Sequence, residues 1–420
     1  MAHSPRNLRH RTRTAANVRY PLRGQPPHAA IALHTTATQR TKNAIATRIQ
    51  KDWPITRIGR RSRGLRRVGN TCFRLSGLQA LLHLPKFLHW ILSHNTMRPD
   101  GTVQFPCRNN LKDVGMIILA KFNAECDERP PKKLALPQCP ACVVKHFIQA
   151  YWGVGNVDAN GAPRVWAHGH PEMGRLRNLD QRIRIATAGA ANDAQEDLAE
   201  FQDLLLEACL ASTNYTVPGD EAWLDNFNAL FIIEYNVEWR CECSALQPLA
   251  AATSRESIGI DNLSILPNGT ADSVKAALTR ESTPEVLGDF DCATCRHRRP
   301  RTQVKRIDGA PDLLRIKISD LTSTGARNNN PIRINPTIDL GTWADVPQLP
   351  APLKYKLNSV LCHGGGITAG HWTATVTDPG GVNESNDHTV VATNQAGLRA
   401  NPQHGRQAIV LTYTRVYPRS

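Results

Sequence analysis

The 420-residue chain contains no apolar run of about 18 residues, so its sequence offers no transmembrane helix. It opens without the apolar stretch of a secretory signal, which argues against export. Acidic residues are nearly missing from the first 67 positions, where Asp52 stands alone against 16 Lys and Arg. Those 16 account for the whole excess of base over acid, because the remainder carries 35 of each. A basic surface on the rest of the chain is therefore not implied. This argues against nucleic-acid binding by a structured reader and leaves only the basic tail as a contact. Large apolar residues are equally scarce in residues 1–63, which are rich in Arg, Thr, Ala and Pro. Too little apolar area is present to offset the entropy of ordering, so 1–63 is expected to be a disordered basic tail. Its Arg57-to-Arg63 cluster suits nuclear import or nucleic acid. The Arg-rich, acid-poor start is also compatible with mitochondrial targeting, or the segment is simply a solvated arm.

The 11 cysteines are odd in number, and no signal peptide accompanies them. Reduced thiols are expected rather than a disulfide framework, and with them the cytoplasm or nucleus. Close pairs of reduced thiols suggest a metal, and a solitary one suggests a nucleophile. Cys241-Glu-Cys243 and Cys292-Ala-Thr-Cys295 could surround one structural Zn²⁺ with four thiolates; the alternative is a relic pair of free thiols. Cys139-Pro-Ala-Cys142 is a further pair, for which Cys107 and Cys126 are available partners that no spacing selects.

Helical patterns cover Phe73–Leu82, Lys86–Leu92, Leu111–Phe122, Val143–Trp152 and Asp193–Leu210. Strand character marks Ala229–Trp239, Asp312–Ile318, Val360–Cys362, His371–Val376 and Ala408–Val416, while 244–290 is a polar, Gly/Pro-interrupted insert. Helices first and strands later read as α+β.

Cys72 follows Gly69-Asn70-Thr71 and leads directly into a helix. The positive end of a helix dipole and its unpaired amides favour thiolate, and Asn70 and Thr71 are capping residue types. The same position also suits a buried structural cysteine. A thiolate enzyme needs a histidine base and a third group to orient it. Among the 15 histidines, His371 is singled out by the loop His363-Gly-Gly-Gly-Ile-Thr-Ala-Gly370, which delivers it onto the start of an alternating strand.

The stretch Gly64-Leu-Arg-Arg-Val-Gly-Asn-Thr-Cys72-Phe-Arg-Leu-Ser-Gly-Leu-Gln79-Ala-Leu81-Leu-His-Leu-Pro85 resembles the Cys box of the ubiquitin-specific proteases. The stretch from His363 to Ala374 resembles that family's His box, with Trp372 in place of the usual Tyr. Asn386-Asp387 resembles its downstream Asn/Asp-Asp pair, and Gln195-Glu-Asp197-Leu-Ala-Glu200-Phe201 its Gln-x-Asp-x-x-Glu-Phe helix. The resemblance implies a papain-like α+β hand in residues 64–420: thumb about 64–225, zinc-ribbon fingers about 226–300, palm about 301–420. It implies a thiol-dependent deubiquitinase without catalytic cofactor that acts on ubiquitin or ubiquitinated proteins. Cys72 would be the nucleophile, His371 the base, Asn386 its orienter and Asp387 the neighbouring acid. Asp197, with Glu200 beside it, would meet the Arg-rich tail of ubiquitin, and Cys241, Cys243, Cys292 and Cys295 would hold structural zinc. Two positions of the Cys box depart from the family. Arg67 stands where an oxyanion-holding Asn is usual and becomes the oxyanion candidate, and Leu75 replaces a second Asn. Both departures favour the alternative of a weak or inactive ubiquitin-binding scaffold.

Overall fold

A computed structural model describes residues 39–54, 62–67, 70–107, 139–152, 197–213, 221–241, 243, 252–258, 263–268, 272–292, 295–319, 328, 330–344, 353–366, 370–399 and 406–417. Among them no helix is long and apolar enough to cross a membrane.

The helical part contains α1 (Gln39–Arg48), α2 (Cys72–Leu82), α3 (Pro85–Ser93), α4 (Pro140–Tyr151), α5 (Leu198–Leu210) and α6 (Glu221–Phe231). A small hairpin, β1 (Thr96–Met97) and β2 (Val103–Gln104), follows α3. A four-stranded antiparallel sheet is built from β3 (Ile233–Cys241), β4 (Ala252–Ile258), β6 (Glu285–Asp291) and β7 (Arg298–Gly309), in the order β4-β3-β7-β6. The larger sheet has eight strands. Its strands are β5 (Leu263–Ile265), β8 (Leu313–Ile318), β9 (Thr337–Asp339), β10 (Lys354–Gly365), β11 (Gly370–Asp378), β12 (Gly381–Asn386), β13 (Thr389–Thr393) and β14 (Arg406–Arg415). The order is β13-β12-β11-β10-β14-β8-β5, with β9 also on β10; only β5 and β8 run parallel. The helix α7 (Val274–Glu281) precedes β6, and α8 (Gln395–Arg399) precedes β14.

The helix α2 is the hinge of the design. Its Leu75, Leu78 and Leu82 predict one apolar face, yet ten of its eleven residues are buried, Arg74 being the exception. The reason is that α2 is covered on two sides. It packs on β11 of the large sheet and also against α5. Gly77 lets α5 approach, because a Cβ there would sit 3.2 Å from Phe201 Cδ1, and Gln202 Nε2 donates to Gly77 O at 2.9 Å. Each fully buried Leu or Phe contributes roughly 1.5–3 kcal/mol, so this helix is held by the core rather than by its own propensity.

Several boundaries differ from the sequence reading. Residues 39–48, expected in the disordered tail, form α1 against α6 and β7. Polar side chains hold it: Gln39 exchanges hydrogen bonds with Ala310, Arg415 donates to Asn43 Oδ1 at 2.5 Å, and buried Lys42 donates to Asn228 O and Ile232 O beside Glu234. Counting large apolar residues misses an anchor made of hydrogen-bonded polar side chains. Ala229–Phe231 belongs to α6, not to a strand. The helix expected from Asp193 begins at Leu198. Within 244–290 the structure adds β4, β5, α7 and most of β6, and a fingers boundary at 300 would cut through β7. The helix expected over 111–122 lies outside the described residues.

Candidate active site

Cys72 is the first residue of α2 and is fully buried. The Thr71 side chain makes no capping hydrogen bond, contrary to its expected role. The loop before Cys72 is fixed on both sides. Gln79 Nε2 donates to Arg63 O at 2.7 Å, Tyr151 Oη donates to Gln79 Oε1 at 2.8 Å, and Leu65 N donates to Asp387 O at 2.8 Å. Gly64 lies so close to the 387–388 turn that a Cβ would meet His388 O at 2.0 Å. Buried His83 contacts Ser62 Oγ through Nε2 at 2.9 Å, and Ser62 Oγ in turn donates to Asp378 at 2.7 Å. The Cys loop is thus tied directly to the sheet that carries the histidine.

His371 is the second residue of β11 and pairs across to Gly364 on β10. Gly370 is required beside it, since a Cβ would collide with Gly364 O and His363 Nε2, both at 2.3 Å. His363 is buried on β10, its ring 4.7 Å from that of Trp372. Asn386 ends β12, and its Oδ1 lies 2.7 Å from His371 Nε2. An amide oxygen only accepts, so Nε2 carries the proton and Nδ1 keeps the lone pair. Asp387 occupies the tight turn between β12 and β13 with φ of +51°, a conformation Asp tolerates. Its Oδ2 is 3.8 Å from His371 Nε2. Burial pushes the Asp387 carboxyl above its ordinary range, against the opposing pull of His371, Arg67 and His388. The Asn386-Asp387 pair is therefore both a turn and a partner of the histidine.

Arg67 also reaches this histidine. One guanidinium nitrogen lies 3.2 Å from His371 Nδ1 and the other 3.4 Å from Asn70 Oδ1. Because Nδ1 is the accepting nitrogen, Arg67 donates to the lone pair that a general base would use.

Asp197 is the N-cap of α5. Its Oδ1 accepts from Ala199 N at 2.7 Å and Glu200 N at 3.3 Å, and its Oδ2 pairs with Lys317 of β8 at 2.8 Å. Burial works to raise this carboxyl, but the Lys317 ammonium and the helix amides hold it below the ordinary range. A substrate cation would compete with Lys317 there. Glu200, in the first turn of α5, is exposed.

The four-stranded sheet gathers Cys241, Cys243, Cys292 and Cys295, whose sulfurs all lie within 4.8 Å of one another. Cys243 and Cys292 are 3.6 Å apart, close to the edge of about 3.8 Å in a ZnS₄ tetrahedron. Arg296 N donates to Cys292 O at 2.8 Å, and Arg296 has a φ of +57°. This donor set fits a structural zinc, which would tie the end of β3 to the β6–β7 hairpin.

The family model described as ubiquitin carboxyl-terminal hydrolase matches residues 63–413. The chain is similar to ubiquitin carboxyl-terminal hydrolase 36 of Drosophila grimshawi, 24% identical over 328 residues that cover 74% of this chain and 22% of the relative. The same-named protein of Drosophila simulans is 25% identical over 330 residues, covering 74% and 27%. The chain thus spans about a quarter of the length of these relatives. Among solved structures it resembles a chain of the SAGA Ubp8/Sgf11/Sus1/Sgf73 DUB module bound to ubiquitin aldehyde, with a TM-score of 0.61 and 18% identity, covering 90% of this chain and 76% of that one. That likeness supports the fold: a papain-like α+β hand with helical thumb, β palm and four-stranded fingers. With the family match extending over most of its length, the chain belongs to the ubiquitin carboxyl-terminal hydrolase family.

Proposed function

We propose that this chain is a cysteine-type hydrolase that cleaves the peptide or isopeptide bond after the C-terminal Gly of ubiquitin, with ubiquitin and ubiquitinated proteins as its partners. The reading is carried by the 2.7 Å contact of His371 Nε2 with Asn386 Oδ1, at the head of the strand on which the Cys72 helix packs. Cys72 Sγ attacks the carbonyl carbon while His371 Nδ1 takes the thiol proton and passes it to the leaving amine. Water, deprotonated by the same nitrogen, then opens the thioester and restores the thiol. Asn386 holds the ring, and Asp387 supports its charged form from a longer distance. Arg67 is the oxyanion candidate once it leaves Nδ1, and Asp197 and Glu200 are candidates for the cationic substrate tail. These steps need no cofactor. The thumb, fingers and palm divisions and a cytoplasmic or nuclear site of action go with this proposal.

A ubiquitin probe bearing a C-terminal electrophile tests it. The wild-type chain should form a covalent adduct, and Cys72→Ala should not. An adduct that persists in Cys72→Ala, or never forms in the wild type, overturns the reading. One observation favours a second reading, a ubiquitin-binding chain of weak activity: the Arg67 guanidinium sits on Nδ1 of the base. Reversible ubiquitin binding without adduct would select it.

A further inference from the structure

A second cluster, His94, Cys107, Cys139 and Cys142, shares no residue with either site above. Its ligand atoms all lie within 4.8 Å of one another. We propose that these four side chains form a second zinc site, a closed Cys₃His centre that pins the helical layer.

The histidine is prepared for this role. His94 ends α3 and is fully buried. Its Nε2 lies 3.3 Å from Cys139 Sγ, and its Nδ1 lies 3.3 Å from Thr213 Oγ1. With Nδ1–H donated to the threonine hydroxyl, the Nε2 lone pair faces the sulfurs, the arrangement in which an outer partner orients a metal-binding imidazole. Thr213 is itself held by an antiparallel bridge to Cys107. Cys139 and Cys142 form the Cys-x-x-Cys pair at the start of α4, where Val143 N donates to Cys139 O at 3.0 Å and Ala141 N to Ser212 Oγ at 3.1 Å.

The surroundings match in charge and polarity. Three thiolates around Zn²⁺ leave one negative charge. Lys145, one turn beyond Cys142 on α4, donates to His94 O and Thr96 Oγ1, each at 2.7 Å, and supplies a nearby positive charge. Buried Trp223, its ring 5.3 Å from that of His94, covers one side of the centre, and three of the four ligands are buried, Cys142 being half-buried. Soft sulfur donors with one imidazole select zinc over hard cations, and four protein ligands leave no open position for catalysis. Such a centre joins the end of α3, the β1–β2 hairpin and the start of α4. Linking Cys107 to Cys139 through one ion also removes freedom from the unfolded chain. The Cys139–Cys142 pair is visible in sequence; of its two available partners Cys107 joins it, and Cys126 lies outside the described residues. The fourth position belongs to His94, 45 residues before Cys139.

Zinc in the purified, untagged full chain should be counted by inductively coupled plasma mass spectrometry. With both sites loaded, about two equivalents are expected, and Cys142→Ser should remove about one. Cys243→Ser should remove the other and leave the proposed centre filled. Because a serine variant could fail to fold, cobalt substitution gives an independent reading. Cobalt in Cys243→Ser should show the absorption of an S₃N site, and adding His94→Cys should convert it to an S₄ spectrum while retaining the metal. Metal content that Cys142→Ser leaves unchanged, a Cys243→Ser chain without metal, or a cobalt spectrum unmoved by His94→Cys overturns the proposal.

Discussion

Replacing Arg67 by Asn should increase activity, the reverse of what loss of an active-site arginine usually does. In the resting geometry the guanidinium lies 3.2 Å from His371 Nδ1, the nitrogen left to accept the thiol proton once Asn386 has fixed Nε2 as the donor. A hydrogen bond from a charged donor is worth roughly 1.5–3 kcal/mol when shielded. This contact is open to solvent, with the His371 side chain 28% exposed, so about 1 kcal/mol is the better figure. Releasing Nδ1 then raises the rate about fivefold. Asn also restores an amide donor at the position where one would face an oxyanion. A well-placed donor of that kind is worth about a hundredfold or more, which sets the upper range. The assay is the second-order rate of adduct formation with the electrophilic ubiquitin probe, supported by kcat/KM on a fluorogenic ubiquitin amide. Arg67→Ala separates the two effects, since it frees the base without adding an amide. A slower Arg67→Ala chain would mean that Arg67 already acts as the oxyanion donor. An unchanged or slower Arg67→Asn chain would refute the reasoning.

Asp197→Asn keeps an N-cap acceptor and should leave thermal stability within about 0.5 kcal/mol, while raising KM if the carboxylate meets a substrate cation. Asp197→Ala should cost about 1 kcal/mol of stability as well, and equal KM values for wild type and Asn variant would confine the residue to a structural role. Gly64→Ala drives a Cβ into His388 O and should destabilise the chain by roughly 3 kcal/mol, read as a shift of the urea midpoint; an unshifted midpoint contradicts the close approach. Burial lowers the His83 pKa from 6.5 to about 4. The unfolded chain therefore binds the extra proton in that window, and the associated stability is complete above pH 6.5 and lost as the pH falls toward 4. That loss is on the order of 3 kcal/mol. Unfolding curves of wild type and His83→Gln across this range should converge by that amount, and a constant gap would show that the ring is not the titrating group.

The candidate site was legible in the chain because its signals are local. The residues around Cys72, the glycine-flanked His371 and the paired cysteines each declare themselves within a short window, where steric need and ligand spacing leave few choices. The alternating pattern of 371–376 and the strong strand signal of 408–416 likewise appear as β11 and β14, the latter buried on both faces from Ala408 to Tyr413. What the sequence could not decide depends on partners far along the chain. Only packing shows that α2 is covered on both sides, that the polar face of α1 is an anchor, and that Asp197 is already engaged by Lys317. The register that brings Asn386 to His371, and the turn of Arg67 onto that same ring, arise where two separate elements meet. The same holds for His94, which joins three cysteines because α3 ends beside the start of α4. Local sequence determined which residues could do chemistry, and long-range packing decided which of them face one another.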